Sequence, residues 1–186
     1  MIDQNLNPQA PALTIRPATS QDALLLTELG AHTFYEAYAH SLPAGQLAEF
    51  IPTIFSPELQ AAELADPATF FLIAEIDGTA VGYATLQDES VANSDPGPRN
   101  LRLARIYLRQ EWTGRGVGSA LMGASLAEAA RRDFNTITLE VWERNERAQS
   151  FYRKWGFVEA GSVTFRFGSE IQTDLVFRRS LADLKS

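Results

Sequence analysis

Cysteine is absent from the 186 residues. Disulfides, thiolate metal sites and cysteine nucleophiles are therefore excluded. No run of apolar residues approaches the roughly 20 that a membrane span needs, and no internal repeat or low-complexity segment is present. Met1 to Pro11 holds neither lysine nor arginine and no apolar run, so it is not read as a signal peptide. It is rich in Asn, Gln and Pro, and residues 1–12 are expected to form a flexible lead-in. Positive charge is also scarce: 16 Lys and Arg stand against 23 Asp and Glu, a net charge of -7. Nucleic acid is a poor partner for such a chain, because phosphate backbones call for basic patches. A cationic substrate suits it better, although mild acidity also serves solubility alone. The expectation is a soluble, cytoplasmic protein without a metal. At 45% hydrophobic, residues 13–186 suffice for one domain with a sizeable core.

Leu13 to Ala18 alternates and suits a first strand. Thr19-Ser20-Gln21-Asp22 supplies a helix cap and a first-turn acid. The helix it opens runs to about Tyr38, with Leu25, Leu29 and His32 on one stripe. Pro43, Pro52 and Pro57 punctuate two short helices near Ala44–Ile51 and Pro57–Ala65. Thr69–Ile76 and Thr79–Leu86 flank Asp77-Gly78, a strong hairpin signal. Asn93 to Asn100 reads as a loop. Leu101–Leu108 reads as a strand, with Leu101, Leu103 and Tyr107 on one face and Ala104, Ile106 and Leu108 on the other. A helix follows from Gly114 to about Arg132, with Val117, Leu121 and Ala124 on its apolar stripe. Thr136–Trp142 is a strand, and Asn145–Trp155 a helix closed by Gly156. Phe157–Phe167 and Gln172–Arg179 form a final hairpin joined near Gly168. Strands and helices mix without strict alternation, which predicts one α/β domain around a mixed sheet of about seven strands flanked by helices.

The run Thr113-Gly114-Arg115-Gly116-Val117-Gly118-Ser119 leaves a strand and enters a helix. Glycines there let the backbone approach a ligand and turn its N–H groups outward. The helix N-terminus adds the positive end of its dipole. Together these predict a pyrophosphate site, with hydroxyls from Thr113 and Ser119 and a guanidinium from Arg115. A P-loop needs Lys then Ser or Thr after its last glycine, and that pair is missing. A dinucleotide fingerprint needs GxGxxG, whereas these glycines are spaced GxGxG. A tight turn without a ligand is the bland alternative.

Ile106-Tyr107-Leu108 followed by TGRGVGSALM resembles the acetyl-CoA signature of the GCN5-related N-acetyltransferases (GNAT). Leu139-Glu140-Val141, Asn145, Ala148, Phe151-Tyr152 and Gly156-Phe157 resemble the block that ends that family's core. The likeness covers nearly the whole chain. Within the family the chain is most similar to bacterial polyamine (spermidine/spermine) N-acetyltransferases. That likeness is carried by Ala104 to Tyr107, Val141 to Ala148, Trp155-Gly156-Phe157, Gln172 to Leu175 and Thr33 to Glu36. It departs at Thr113, where the family usually has Arg or Gln, and at Arg102 and Arg105, where the polyamine branch carries acids.

The resemblance implies a GNAT fold, acetyl-CoA as acetyl donor and a small amine as acceptor, with a homodimer possible. It also implies that the backbone of Ile106, Tyr107 and Leu108 pairs with the pantetheine arm, which works only if the sheet splays open there. Tyr152 is the candidate general acid for the leaving thiolate; packing against the sheet is its plainer role. Asn145 suits a pantetheine contact, an N-cap, or both. Glu140, Glu75 and the His32/Glu36 pair are candidate bases, with a water chain equally open. Tyr35, Glu36, Tyr38 and Glu140 are candidates for the acceptor cleft, and Asp174 for a contact to substrate or a second subunit. Alternative functions are acetylation of a protein N-terminus or lysine, and binding of acetyl-CoA without turnover.

Overall fold

The computed structural model describes residues 11–40, 44–92, 99–167 and 170–184. Nearly all of the expected lead-in, most of the Asn93–Asn100 loop and the turn at Gly168 lie outside the described residues. Seven strands make one mixed sheet in the order β1-β2-β3-β4-β5-β7-β6. They are β1 (Leu13–Pro17), β2 (Thr69–Ile76), β3 (Thr79–Asp88), β4 (Asn100–Leu108), β5 (Thr136–Trp142), β6 (Val158–Phe167) and β7 (Glu170–Ser180). The helices are α1 (Ala23–Tyr38), α2 (Ala44–Ile54), α3 (Pro57–Ala65), α4 (Val117–Arg131) and α5 (Glu146–Lys154). All strand pairs are antiparallel except β4–β5.

The sheet separates two cores. One gathers Leu72, Leu86, Leu103, Leu121, Phe134 and Phe177 beneath α4 and α5. The other gathers Leu26, Leu29, Phe34, Phe55, Ile73 and Tyr83 beneath α1 and α2. Each such side chain contributes roughly 1.5–3 kcal/mol by leaving water. The stripe of α1 is Leu26, Leu29, Gly30, Thr33 and Phe34. That corrects Leu25 and His32, which sit one position off the buried line: Leu25 is half-buried and His32 exposed. The chain enters α1 as expected: Thr19 caps the turn, and its own N–H donates to Asp22 Oδ2 at 2.7 Å.

Pro52 lies inside α2 rather than beyond its end. Only the last turn follows it, so the cost of its missing N–H stays local. The predicted start of α4 at Gly114 moves to Val117, because Gly114 and Gly116 hold φ of 80° and 88°, outside helical space.

The main departure from the sequence reading is in β4. Arg105 pairs with Thr85 and Leu103 with Leu86, leaving Ala104 as an extra residue, a β-bulge. The bulge shifts the alternation by one. Leu101, Leu103, Ile106 and Leu108 all face the α4 core, and Tyr107 faces the α1 core. Strict alternation had grouped Tyr107 with Leu101 and Leu103.

Candidate functional site

The bulge lies where the sheet comes apart. β4 and β5 pair only at Asn100–Thr136, Leu101–Ile137 and Arg102–Thr138. Beyond Arg102, β4 stays with β3 through Leu108–Gly82, while β5 stays with β7 through Trp142–Asp174. The edge of β4 from Leu103 to Leu108 therefore faces a gap without a strand partner. The splaying that the sequence reading required is present. Gly82 permits the tight β3–β4 contact: a Cβ there would lie 2.4 Å from Leu108 Cδ2 and 2.7 Å from the Tyr107 carbonyl oxygen.

Two cavities occupy the gap. The larger, about 840 Å³, runs from β4 to the α4 N-terminus. Thr113, Gly114, Gly116, Gly118 and Ser119 line it. Nothing lies within 4 Å of a Cβ built on Gly114 or Gly116, so this turn faces open space. No side chain caps α4. Its first internal bond is Ala120 N–H to the Gly116 carbonyl at 3.0 Å, and the N–H groups of Val117, Gly118 and Ser119 precede it. An uncapped helix start beside two open glycines suits an anion. The Val117 side chain is buried in the core, and Arg115 turns outward with its guanidinium 5.4 Å from the Trp112 ring. Neither side chain lines the cavity. Arg147, Ser150 and Lys154 of α5 do line it, and the sequence reading had not singled them out.

The smaller cavity, about 490 Å³, is bordered by Arg102, Arg105, Glu140, Trp142, Arg144 and Asp174. Ala37, Ile106, Tyr107, Asn145, Ala148 and Tyr152 border both cavities. They mark the junction. Asn145 Oδ1 accepts from Ala148 N–H at 3.1 Å and so caps α5. Gln149, buried one turn on, donates to the Glu143 carbonyl at 2.7 Å and braces the loop between β5 and α5.

Tyr152 is 8% exposed, with its ring against Phe151, Phe157 and Phe177. Its hydroxyl makes no hydrogen bond to any described residue. Burial, with a smaller push from Tyr38, raises its pKa well above the tyrosine range. It therefore stays protonated at neutral pH.

The remaining candidates separate in space. Tyr35 is 48% exposed and borders neither cavity. Glu36 borders the larger one, where it accepts from Gln110 N–H at 2.9 Å and meets His32 at 3.3 Å. Glu75 pairs with Arg16 at 2.8 Å and borders neither cavity. Glu140 borders the smaller cavity, bound to Arg102 at 2.9 Å. Tyr38 borders it too.

Residues 31–157 match the model of the Acetyltransferase (GNAT) family. The chain belongs to that family. Among curated relatives, an uncharacterized N-acetyltransferase of Mycobacterium tuberculosis is 36% identical over 160 residues, covering 86% of this chain and 98% of that one. Among solved structures, the PaiA N-acetyltransferase of Thermoplasma acidophilum in complex with coenzyme A superposes with TM-score 0.75 at 22% identity, over 91% of this chain and 99% of that one. The spermidine/spermine N-acetyltransferase SpeG of Vibrio cholerae superposes with TM-score 0.65 at 19% identity, over 92% and 94%. At such identities the structures attest the GNAT fold, and the seven-stranded sheet with its open middle is that fold.

Proposed function

We propose that this GNAT protein moves the acetyl group of acetyl-CoA to the nitrogen of a small primary amine by direct attack on the thioester. One observation carries the reading: Tyr152, protonated and without a hydrogen bond at its hydroxyl, borders both cavities beside a free strand edge.

The residues fit the donor. The open glycine turn and uncapped start of α4 suit the pyrophosphate, with the Thr113 and Ser119 hydroxyls beside it. The free edge at Ile106, Tyr107 and Leu108 suits the amide-bearing pantetheine arm, which would add to the sheet as an extra strand. An N–H on that edge polarises the thioester carbonyl. The Asn145 side-chain amide, with its oxygen committed to the cap, keeps its N–H groups for the same arm. Tyr152 gives its proton to the departing sulfur. Acetyl-CoA supplies the activated acyl group, and the other elements of catalysis are positions held by this chain.

A polyamine acceptor is supported by the motif resemblance and by the fold shared with the Vibrio cholerae enzyme. It is opposed by Arg144 and by the shortage of unpaired carboxylates around the smaller cavity, where Arg102 already holds Glu140. The test is CoA release from acetyl-CoA, read with a thiol reagent, across diamines, polyamines, amino acids and short peptides. Replacing Tyr152 by Phe should lower turnover by roughly 10²-fold and leave acetyl-CoA affinity nearly unchanged. Unchanged turnover removes Tyr152 from the reaction. Peptides outperforming every small amine would redirect the reading to protein acetylation. Tight binding of acetyl-CoA without any release would mark a non-catalytic binder.

A further inference from the structure

The smaller cavity carries three guanidinium groups and two carboxylates on its border, and most of them are spoken for. Arg105 donates to both Glu63 oxygens at 2.7 and 2.9 Å. Arg102 donates to Glu140 at 2.9 Å. Two bordering charges remain: the side chains of Asp174 and Arg144 make no ion pair or hydrogen bond with any described residue. Both border this cavity on the Trp142 side. Asp174 sits opposite Trp142 in the β5–β7 ladder, and the Arg144 guanidinium lies 5.8 Å from the Trp142 ring centroid. One free anion and one free cation thus flank a single tryptophan.

A polyamine finds little here. Its first ammonium can meet Asp174, but each further one meets a carboxylate already held by an arginine. Taking Glu140 from Arg102 would leave that guanidinium uncompensated in a partly desolvated place. A molecule with one ammonium and one anion matches the two unpaired side chains in charge.

Resting on the acetyl-transfer reading above, we propose that the acceptor is an amino acid: Asp174 binds its ammonium and takes a proton from it, and Arg144 binds its carboxylate. Arginine suits the second task, since its planar fork matches a carboxylate. Asp174 suits the first. Burial raises its pKa above the aspartate range, Glu140 and Glu143 add to the rise, and Arg102 opposes it. Tyr38 of α1 also lies within its electrostatic reach. A carboxylate with a raised pKa is a better proton acceptor than a solvated one.

The step balances. Asp174 takes one proton from the ammonium and later passes it to water. The freed nitrogen lone pair forms the C–N bond as the C–S bond breaks. Tyr152 protonates the sulfur, and the second proton leaving nitrogen restores the phenol. The products are the N-acetylamino acid, CoA thiol and one released proton.

The test compares each L-amino acid with the amine left by removing its carboxyl group, and with spermidine, in the CoA-release assay. The intact enzyme should favour amino acids at least about ten-fold in kcat/KM. Arg144→Gln should erase that preference by raising KM for amino acids while leaving the decarboxylated amines unchanged. Asp174→Asn should lower kcat/KM for every amine by roughly 10²-fold at neutral pH, with recovery as pH nears the amine's own pKa. Asp174→Ser and thermal melts guard against misfolding. Spermidine or decarboxylated amines matching the amino acids would overturn this inference and leave acetyl transfer standing. So would an Arg144→Gln effect equal on both classes. No release with any amine, alongside measured acetyl-CoA binding, would refute acetyl transfer and this inference with it.

Discussion

Deleting Ala104 separates the site from the fold. The residue is the extra member of the β4 bulge and belongs to neither core. Without it, Leu103, Arg105, Ile106, Tyr107 and Leu108 alternate strictly. Every side chain keeps its present face: Ile106 and Leu108 toward α4, Tyr107 toward α1, and Arg105 toward Glu63. The core loses nothing, and stability should change by no more than about 1 kcal/mol. The strand, however, loses its kink and extra local twist. It can then run on beside β5 past Arg102–Thr138 and cover the edge at Ile106 to Leu108. If the pantetheine arm uses two or three bonds there, at about 0.5–1.5 kcal/mol each, about 1–4.5 kcal/mol of affinity goes. That weakens acetyl-CoA binding about 5-fold to 10³-fold. Calorimetric titration with acetyl-CoA reads the affinity, and a circular-dichroism melt reads the fold. A folded variant with unchanged Kd refutes the claim that the bulge opens the cleft. An unfolded variant refutes the argument that all faces are preserved.

A Gly82→Ala substitution acts on the same strand from the other side. Its Cβ collides with the Tyr107 carbonyl and Leu108, so a loss of about 1–3 kcal/mol should lower Tm by about 2–12 °C for a chain of this size; an unchanged melt refutes the clash. Alkali should unfold the protein steeply. Burial raises the pKa of Tyr38, Tyr83, Tyr107 and Tyr152 in the fold, so stability complete below the unfolded value of about 10 is lost as pH climbs above it. Each tyrosine costs up to about 1.4 kcal/mol per pH unit until its folded value is reached, and together they weigh against a total stability of about 5–15 kcal/mol. In a Tyr35→Phe background, which removes the exposed tyrosine, tyrosinate absorbance should therefore appear together with loss of far-UV dichroism, and ionisation near pH 10 with the fold intact refutes this. Acid acts through Asp22, which the Arg16 hydrogen bond holds down at about 2. Its support is present above pH 4 and lost as pH falls through about 2. After discounting for the exposure of Arg16, it amounts to about 1–2 kcal/mol. Asp22→Asn should lower Tm at pH 7 and match the parent at pH 2, and an equal deficit at both would sink the linkage.

Local chemistry was legible in the sequence, and long-range geometry was not. The Asp77-Gly78 hairpin, the Thr19 cap, the Gly156 stop and the glycine turn into α4 each follow from conformations that only a few residue types tolerate. Their places came out as read, and so did the order of strands and helices. The bulge at Ala104 had no local signal, because an alanine in a strand looks the same paired or extra. Its phase shift appears only when Thr85 and Leu86 are set against β4. The charges followed the same rule. Arg102 and Arg105 read as repulsive toward an amine until Glu140 and Glu63 are seen to bind them, partners 38 and 42 residues away. What stays unpaired after that accounting, Asp174 and Arg144, is what a ligand would meet. A bound ligand must satisfy the groups the fold leaves unsatisfied. Among the described residues several such groups lie together at the gap: a bare strand edge, an uncapped helix, a phenol without a hydrogen bond and the unpaired side chains of Asp174 and Arg144. Folding alone gains nothing from leaving such a gap between β4 and β5, since closing it would add ladder hydrogen bonds. The gap is therefore better explained by what enters it than by what holds the sheet together.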